Sequence, residues 1–141
     1  MDVNTTQIAT NISMGKMGLY FGYFTISLGL LFSFVKTYLY ITPYNEVELI
    51  KKGNIGLALI LSGILLGYTI SLAFSLFYSE TIIGFIFYGL LSAIFQLSIQ
   101  LVLQKNFELI QDEVRQNNNI AIGLLLGVLA LCVGIITGIS V

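Results

Sequence analysis

Four long apolar segments set what this chain can fold into. They lie at residues 17–41, 55–78, 82–104 and 120–141 and contain few charged residues. An α-helix of about 20 apolar residues crosses the roughly 30 Å hydrocarbon core of a bilayer. The sequence therefore predicts an all-α membrane protein with four transmembrane helices, embedded in the lipid bilayer.

Composition limits the domain organisation and the partners. Of the 141 residues, 57% are hydrophobic and 9% are charged, whereas about 25% of a soluble domain is charged. The segments between the spans are too short for a second core, so residues 1–141 form a single integral membrane domain. The net charge of −1 leaves no basic stripe for phosphates, and we expect no nucleic-acid partner.

Residue types that carry chemistry are scarce in this chain. The sequence has no histidine, and its one cysteine, Cys132, lies inside the fourth apolar segment. We therefore expect no metal site, no cofactor and no intrachain disulfide, and we interpret Cys132 as a small packing residue. No activated nucleophile or general base stands out, so an enzyme is not expected.

The cations predict an orientation. The two longer loops and their edges hold five of them: Lys36, Lys51, Lys52, Lys105 and Arg115. Lys16, in the N-terminal segment, is the sixth. Because Lys and Arg concentrate on the cytoplasmic side, both loops are predicted to be cytoplasmic and both termini external.

A shift of 65 residues lays the first half of the chain on the second. Glu48 then falls on Glu113, and Asn54 falls on Asn119. Each unit holds two spans, so both copies point the same way, and the pattern predicts two tandem parallel two-helix repeats. The alternative is coincidence between apolar stretches. We interpret the two glutamates as solvated helix-end charges, or alternatively as a site for a cation or a partner.

The first loop contains helix-boundary signals. Thr42 is predicted to N-cap a short helix that has Pro43 at its first position. Gly53 suits the residue after the end of that helix, and Asn54 can cap the second span.

The second loop lacks such signals. From residue 90 to residue 116 there is no Gly or Pro. The third span is therefore predicted to run on as one long helix, with Phe107, Ile110 and Val114 on one face.

Small residues spaced by four mark three of the spans. They are Gly18 and Gly22 in the first span, Gly63, Gly67 and Ser71 in the second, and Gly123, Gly127, Gly134 and Gly138 in the fourth. Such stripes allow close approach of helix backbones in lipid. We predict that they pack against helices, either of the same chain or of a neighbouring one. The alternative is that glycine is simply common in membrane helices.

The third span carries a polar face. Ser92, Gln96 and Gln100 are four residues apart and so lie on one side of the helix. A buried amide needs hydrogen-bond partners or water. We favour an interhelical hydrogen-bonding seam, where each contact contributes about 0.6 kcal/mol. The alternative is the wall of a polar pathway.

The first loop and its surroundings resemble the YjfL family of small bacterial four-span inner-membrane proteins, a domain of unknown function. The matching positions are Thr42, Pro43, Glu48, Leu49, Ile50, Gly53, Asn54, Gly63, Gly67, Gln96 and Asn119. The resemblance implies a multipass protein of the bacterial cytoplasmic membrane without an assigned reaction. It supplies no catalytic residues.

Two functional hypotheses follow. The first is a structural or interaction subunit that forms a homo-oligomer, or binds another membrane or membrane-associated protein, through its Gly-rich helix faces. The second is a small oligomeric channel or transporter lined by the glutamine face of the third span. The lack of ionisable residues in the middle of the spans favours the first.

Overall fold

Six helices make up the protein. A computed structural model describes residues 3–140. The helices are α1 (Val3–Ile41), α2 (Glu46–Lys51), α3 (Ile55–Tyr78), α4 (Ile82–Asn106), α5 (Glu108–Asn117) and α6 (Ile120–Ile139).

Four of these helices are long and apolar enough to cross a membrane. They are Met14–Ile41, Ile55–Tyr78, Ile82–Asn106 and Ile120–Ile139. The predicted all-α fold with four spans is confirmed, and the described residues contain no strand. Residues 1, 2 and 141, which the predicted domain and fourth span include, lie outside the described part of the chain.

The helices pack around α3. It lies against α6 along most of its length, α4 packs on both, and α1 packs on α4 and α3. At one end of the bundle α1 and α4 end, and α3 and α6 begin. This end, together with α2 and α5, is called the loop end below. Phe34 holds the C-terminal half of α1 against α3, because its ring stacks on buried Tyr68 with centroids 4.0 Å apart.

Matching turns begin α3 and α6. The Asn54 side chain accepts a hydrogen bond from the Leu57 N–H, and Asn119 does the same for Ile122. Each asparagine follows a residue with a left-handed backbone, namely Gly53 (φ 97°) and Asn118 (φ 51°). Glycine and asparagine tolerate this conformation best. The cap by Asn54 and the place of Gly53 agree with the prediction, whereas the tandem repeat itself stays a prediction.

The short helix of the first loop begins later than predicted. Asn45, not Thr42, is its N-cap and accepts from the Glu48 N–H. The assignment of the cap to Thr42 was wrong because α1 runs to Ile41. The Thr42 hydroxyl instead donates to the Tyr38 carbonyl at 2.9 Å.

The predicted continuous helix after the third span was also wrong. Phe107 leaves the helical conformation (φ −115°, ψ 30°) and separates α4 from α5. The bend lets α5 fold back onto the bundle and bury Val114 and Gln111, whereas Phe107 and Ile110 stay exposed. Tertiary contacts of α5 thus outweigh a locally continuous helix.

The predicted orientation can be tested at two exposed positions. Single cysteines replace Gln7 in α1 and Leu109 in α5, in a chain with Cys132→Ala. Position 7 is expected to react with a membrane-impermeant maleimide in intact cells, and position 109 only after the cells are opened. Labelling of position 109 but not of position 7 in intact cells would show that the orientation is the opposite of the predicted one.

Candidate functional site

The glycines of α3 and α6 form one seam inside the chain. A Cβ atom at Gly63 would overlap the carbonyl oxygen of Gly127, and one at Gly134 would overlap the backbone of Gly67. A Cβ at Gly123 would lie 2.5 Å from the Gly56 Cα. The two backbones are therefore in direct contact, as small residues permit in lipid.

The seam continues towards the other end of the bundle. The Ser71 hydroxyl donates to the Gly134 carbonyl at 2.6 Å. A Cβ at Gly138 would lie 3.0 Å from the Ser71 Cα. The structure thus brings together all the predicted packing residues of α3 and α6 within a single chain.

The glycines of α1 behave differently. Among the described residues, nothing lies within 4 Å of a Cβ built at Gly18 or Gly22, and the same holds for Gly15 and Gly29. We call these four residues the open α1 stripe. Sequence reasoning missed Gly15 and Gly29 because they fall outside the four-residue spacing, although intervals of three and seven place them near the same helix face.

The polar face of α4 points into the bundle. Ser92, Gln96 and Gln100 are all buried, and Gln96 has no exposed surface. The Gln96 amide donates to the Ile64 carbonyl of α3 at 3.0 Å. Its nitrogen lies 2.9 Å from the place of a Cβ at Gly67, so that glycine makes room for the amide. The Ser92 hydroxyl, the Gln96 oxygen and the Gln100 nitrogen have no partner in the described part of the chain.

Backbone and amide hydrogen bonds join the two loops. The Asn54 amide donates to the carbonyls of Val114 at 2.8 Å and Arg115 at 3.2 Å. In return, the Asn118 oxygen accepts from the Gly56 N–H at 3.1 Å. Asn54 therefore caps α3 and also holds the end of α5.

The two repeat-related glutamates lie on the surface. Glu48 is exposed and forms an ion pair with Lys52 at 2.7 Å, which holds the pKa of its carboxyl below the usual value. Exposed Glu113 accepts from the Asn117 amide at 2.8 Å. Each glutamate bonds to its own segment, so the structure does not bring them together.

A third glutamate, Glu46, is buried, and sequence reasoning did not single it out. Glu46 is 1% exposed, and its Oε1 accepts from the Tyr38 hydroxyl at 2.7 Å. Its Oε2 has no partner among the described residues. Burial raises the pKa of the Glu46 carboxyl, opposed by the hydrogen bond from Tyr38 and by the charge of Arg115.

Tyr44, two residues before Glu46, joins the first loop to α5. Its hydroxyl donates to the Gln111 oxygen at 3.1 Å, and the Arg115 guanidinium lies 4.0 Å from its ring centre. Arg115 also pairs with Asp112. Burial, followed by the Glu46 charge, raises the pKa of Tyr44. We call Tyr38, Tyr44, Glu46, Gln111 and Arg115 the Glu46 cluster.

The comparison with known families decides the relationship of this chain. The family described as a domain of unknown function, DUF350, matches residues 8–141. The chain belongs to the DUF350 family. It is similar to the UPF0719 inner membrane protein YjfL of Escherichia coli strain K12 and of Escherichia coli O157:H7. It is 32% identical to each over 113 residues, which cover 80% of this chain and 85% of each relative. No solved structure matches the chain.

The resemblance predicted from the sequence is thereby confirmed. The name of the DUF350 relatives and the four apolar helices also confirm the predicted location in the inner membrane. The orientation of the termini stays a prediction. Of the positions that carried the resemblance, Gly53 and Asn54 form the turn into α3, and Gly63 and Gly67 lie in the seam.

A cavity of about 380 Å³ opens beside the Glu46 cluster at the loop end. Tyr44, Lys105, Glu108 and Arg115 line its polar side, and Leu101 lies on its apolar side. Six buried side-chain polar atoms lack a hydrogen-bond partner within residues 3–140, and five of them lie in two places, the Gln96 face within the bundle and the Glu46 cluster at the loop end.

Proposed function

We propose that this DUF350 protein is a structural or interaction subunit of the membrane rather than an enzyme. We further propose that it associates through α1 with a second copy or with another membrane protein. The open α1 stripe carries this proposal. The glycines of α3 and α6 face backbone within the chain, whereas no described residue lies within 4 Å of a Cβ built at the glycines of α1.

The free-energy cost of glycine in a helix supports the binding of a partner helix to the open α1 stripe. A glycine within a helix costs roughly 1 kcal/mol relative to alanine. On α1, no described residue lies close enough to a glycine to offset that cost. Residues 14–21 are exposed on every side of the helix. In lipid, small residues favour helix association because they permit close van der Waals contact. A second helix on the stripe would use the open space.

Association through the stripe predicts a position-specific effect of bulk. Gly22→Ile is expected to weaken self-association in bilayers roughly tenfold, which corresponds to about 1.4 kcal/mol, because the branched side chain separates the two backbones. The measurement is energy transfer between labelled copies at varied protein-to-lipid ratios. Met17→Ile, five residues earlier and on another side of α1, is the control.

Equal association of the two variants would exclude the stripe as the self-association surface. If the wild-type protein is monomeric at all ratios, association with another membrane protein is tested by pull-down from native membranes. The wild type is one bait, and Gly22→Ile is the bait expected to lose the partner. Retention of the same proteins by both baits would count against it.

A small channel or transporter is the alternative. One observation favours it: Ser92, Gln96 and Gln100 each hold a buried polar atom without a protein partner, as side chains beside water would. Two observations oppose it. The face lies inside one chain, not between copies, and Gln96 already bonds to Ile64.

Thiol labelling distinguishes a dry seam from a wet pathway. A cysteine at position 96, with Cys132→Ala, is expected to react with a water-soluble thiosulfonate as slowly as one at lipid-facing position 94. A cysteine at exposed position 109 is the reactive control. Rapid labelling at 96 that a permeating ion blocks would favour the channel. In the dry case, Gln96→Leu is expected to weaken helix packing by about 0.6 kcal/mol.

A further inference from the structure

The burial of Glu46 contrasts with that of the other carboxyl groups. Six acidic residues lie in the described part of the chain, and the other five are exposed or half-exposed: Glu48, Glu80, Glu108, Asp112 and Glu113. Glu46 alone among them is enclosed, at 1% exposure. Glu46 lies in the six-residue helix α2, and the next carboxylate of that helix, Glu48, faces water. The docking of α2 therefore determines the environment of this group.

The surroundings of Glu46 suit a protonated carboxyl better than a charged one. An ionised carboxylate offers about four acceptor sites, but here Oε1 accepts from Tyr38 and Oε2 has no partner among the described residues. Arg115, whose charge acts on Glu46, is engaged by Asp112 and by the ring of Tyr44. A buried charge without full pairing is costly, whereas the neutral acid avoids that cost.

We propose that Glu46 is a proton-binding site that latches α2 and the first loop onto α1. In the closed arrangement the proton is bound, and Glu46 stays in contact with Tyr38. Loss of the proton leaves a charge in the enclosed site and releases α2 towards water. This proposal is independent of helix association through the open α1 stripe.

Four charged or titratable groups lie around Glu46. They are Tyr38 from α1, Tyr44 from the connecting segment, and Arg115 and Asp112 from α5. The first turn of α3 has no acidic residue, and α4 contributes polar Gln100 near Tyr38. Burial is the largest influence and raises the pKa of Glu46 in the closed form.

The sign of the pH dependence follows from that direction. The closed form binds the proton more tightly than an opened, solvated Glu46 does. Its stability relative to the open form is therefore complete below the ordinary carboxyl pKa. It is lost as the pH rises through the raised pKa of the closed form. Opening would also expose the narrow gap between α1 and α4 that Tyr38, Thr42 and Gln100 line.

Infrared titration of the full chain in lipid nanodiscs tests the protonation state. At neutral pH the wild type is expected to show the carbonyl stretch of a protonated acid, which shifts on isotopic labelling of glutamate. Glu46→Gln is expected to remove it, and Glu48→Gln is expected to keep it. Absence of the band in the wild type at neutral pH, or its persistence in Glu46→Gln, would overturn the proposal.

A second variant covers the case in which Glu46→Gln does not fold. Tyr38→Phe removes the hydroxyl that hydrogen-bonds the ionised carboxylate, so the band is expected to titrate at higher pH than in the wild type. A titration that does not move would contradict the assignment to Glu46.

Hydrogen exchange tests the latch. Protection of the α2 amides, corrected for the intrinsic pH dependence of exchange, is expected to fall over the pH range in which the infrared band disappears. Glu46→Gln is expected to keep α2 protected throughout, and Glu48→Gln to follow the wild type. Unchanged protection while the band disappears would leave a buried acid without a latch, and the proposal would be wrong.

Discussion

Gly63→Ala is expected to destabilise the protein by about 3 kcal/mol, at the upper end of the usual cost of overpacking. The new methyl group would overlap the carbonyl oxygen of Gly127 in the α6 backbone. A flexible side chain can turn aside from such a contact, but a helix backbone can move only with its whole helix. The expected response is separation of α3 from α6, measured by thermal or chemical unfolding in detergent micelles.

The matched control is Gly29→Ala, the same substitution in the middle of α1, where nothing lies within 4 Å of the new atom. Alanine favours helix over glycine, so this variant is expected to be as stable as the wild type or slightly more stable. Equal stability of the two variants would mean that the seam does not hold the fold together.

The bounds of the spans were predictable because lipid imposes a minimum apolar length on any helix that crosses it. The second predicted span, 55–78, coincides with α3. Its start was readable because Gly53 and Asn54 form a boundary signal with a local physical cause, a left-handed turn followed by a cap. Signals of this kind need no knowledge of the rest of the fold.

The break at Phe107 was not predictable in the same way. No Gly or Pro marks it, and α4 and α5 are each acceptable helix sequence. The break exists because α5 gains contacts by turning back, through buried Val114 and through Gln111 against Tyr44. Those contacts involve residues about 70 positions away in the chain, which no local window includes.

Glu46 shows the same limit at the candidate site. From the sequence alone, Glu46 and Glu48 are two carboxylates in the first turn of one short helix. The helix dipole stabilises a negative charge at both positions. Docking of α2 buries the first against Tyr38 and leaves the second to pair with Lys52. The separation of their roles is a tertiary effect, and it produces the least satisfied carboxyl of the described chain.

The glycine stripes were predictable as packing faces, but their partners were not. Spacing by four identifies which side of a helix permits close approach, and it says nothing about which backbone approaches. The structure places α6 on the glycines of α3, whereas no described residue lies close to the glycines of α1. This division separates a stability role, tested at Gly63, from an association role, tested at Gly22.

Asn54→Ala is expected to cost about 3 kcal/mol, and Asn119→Ala about 1 kcal/mol, although the two residues are equivalent in the predicted repeat. Both asparagines cap a helix, and loss of a cap typically costs about 1 kcal/mol. Asn54 also donates to the Val114 and Arg115 carbonyls, and each lost hydrogen bond adds about 1 kcal/mol. No comparable bond from Asn119 to the first loop is present within residues 3–140.

Asn54→Ser separates the two contributions, because serine keeps a capping oxygen but is too short to reach α5. It is expected to lie between the wild type and Asn54→Ala in unfolding experiments, and to loosen α5 in hydrogen exchange while α3 stays intact. Equal losses for Asn54→Ala and Asn119→Ala would show that the bonds to α5 contribute nothing measurable. The loop end would then depend on Val114 and the Glu46 cluster, because those contacts also hold α5 against the first loop.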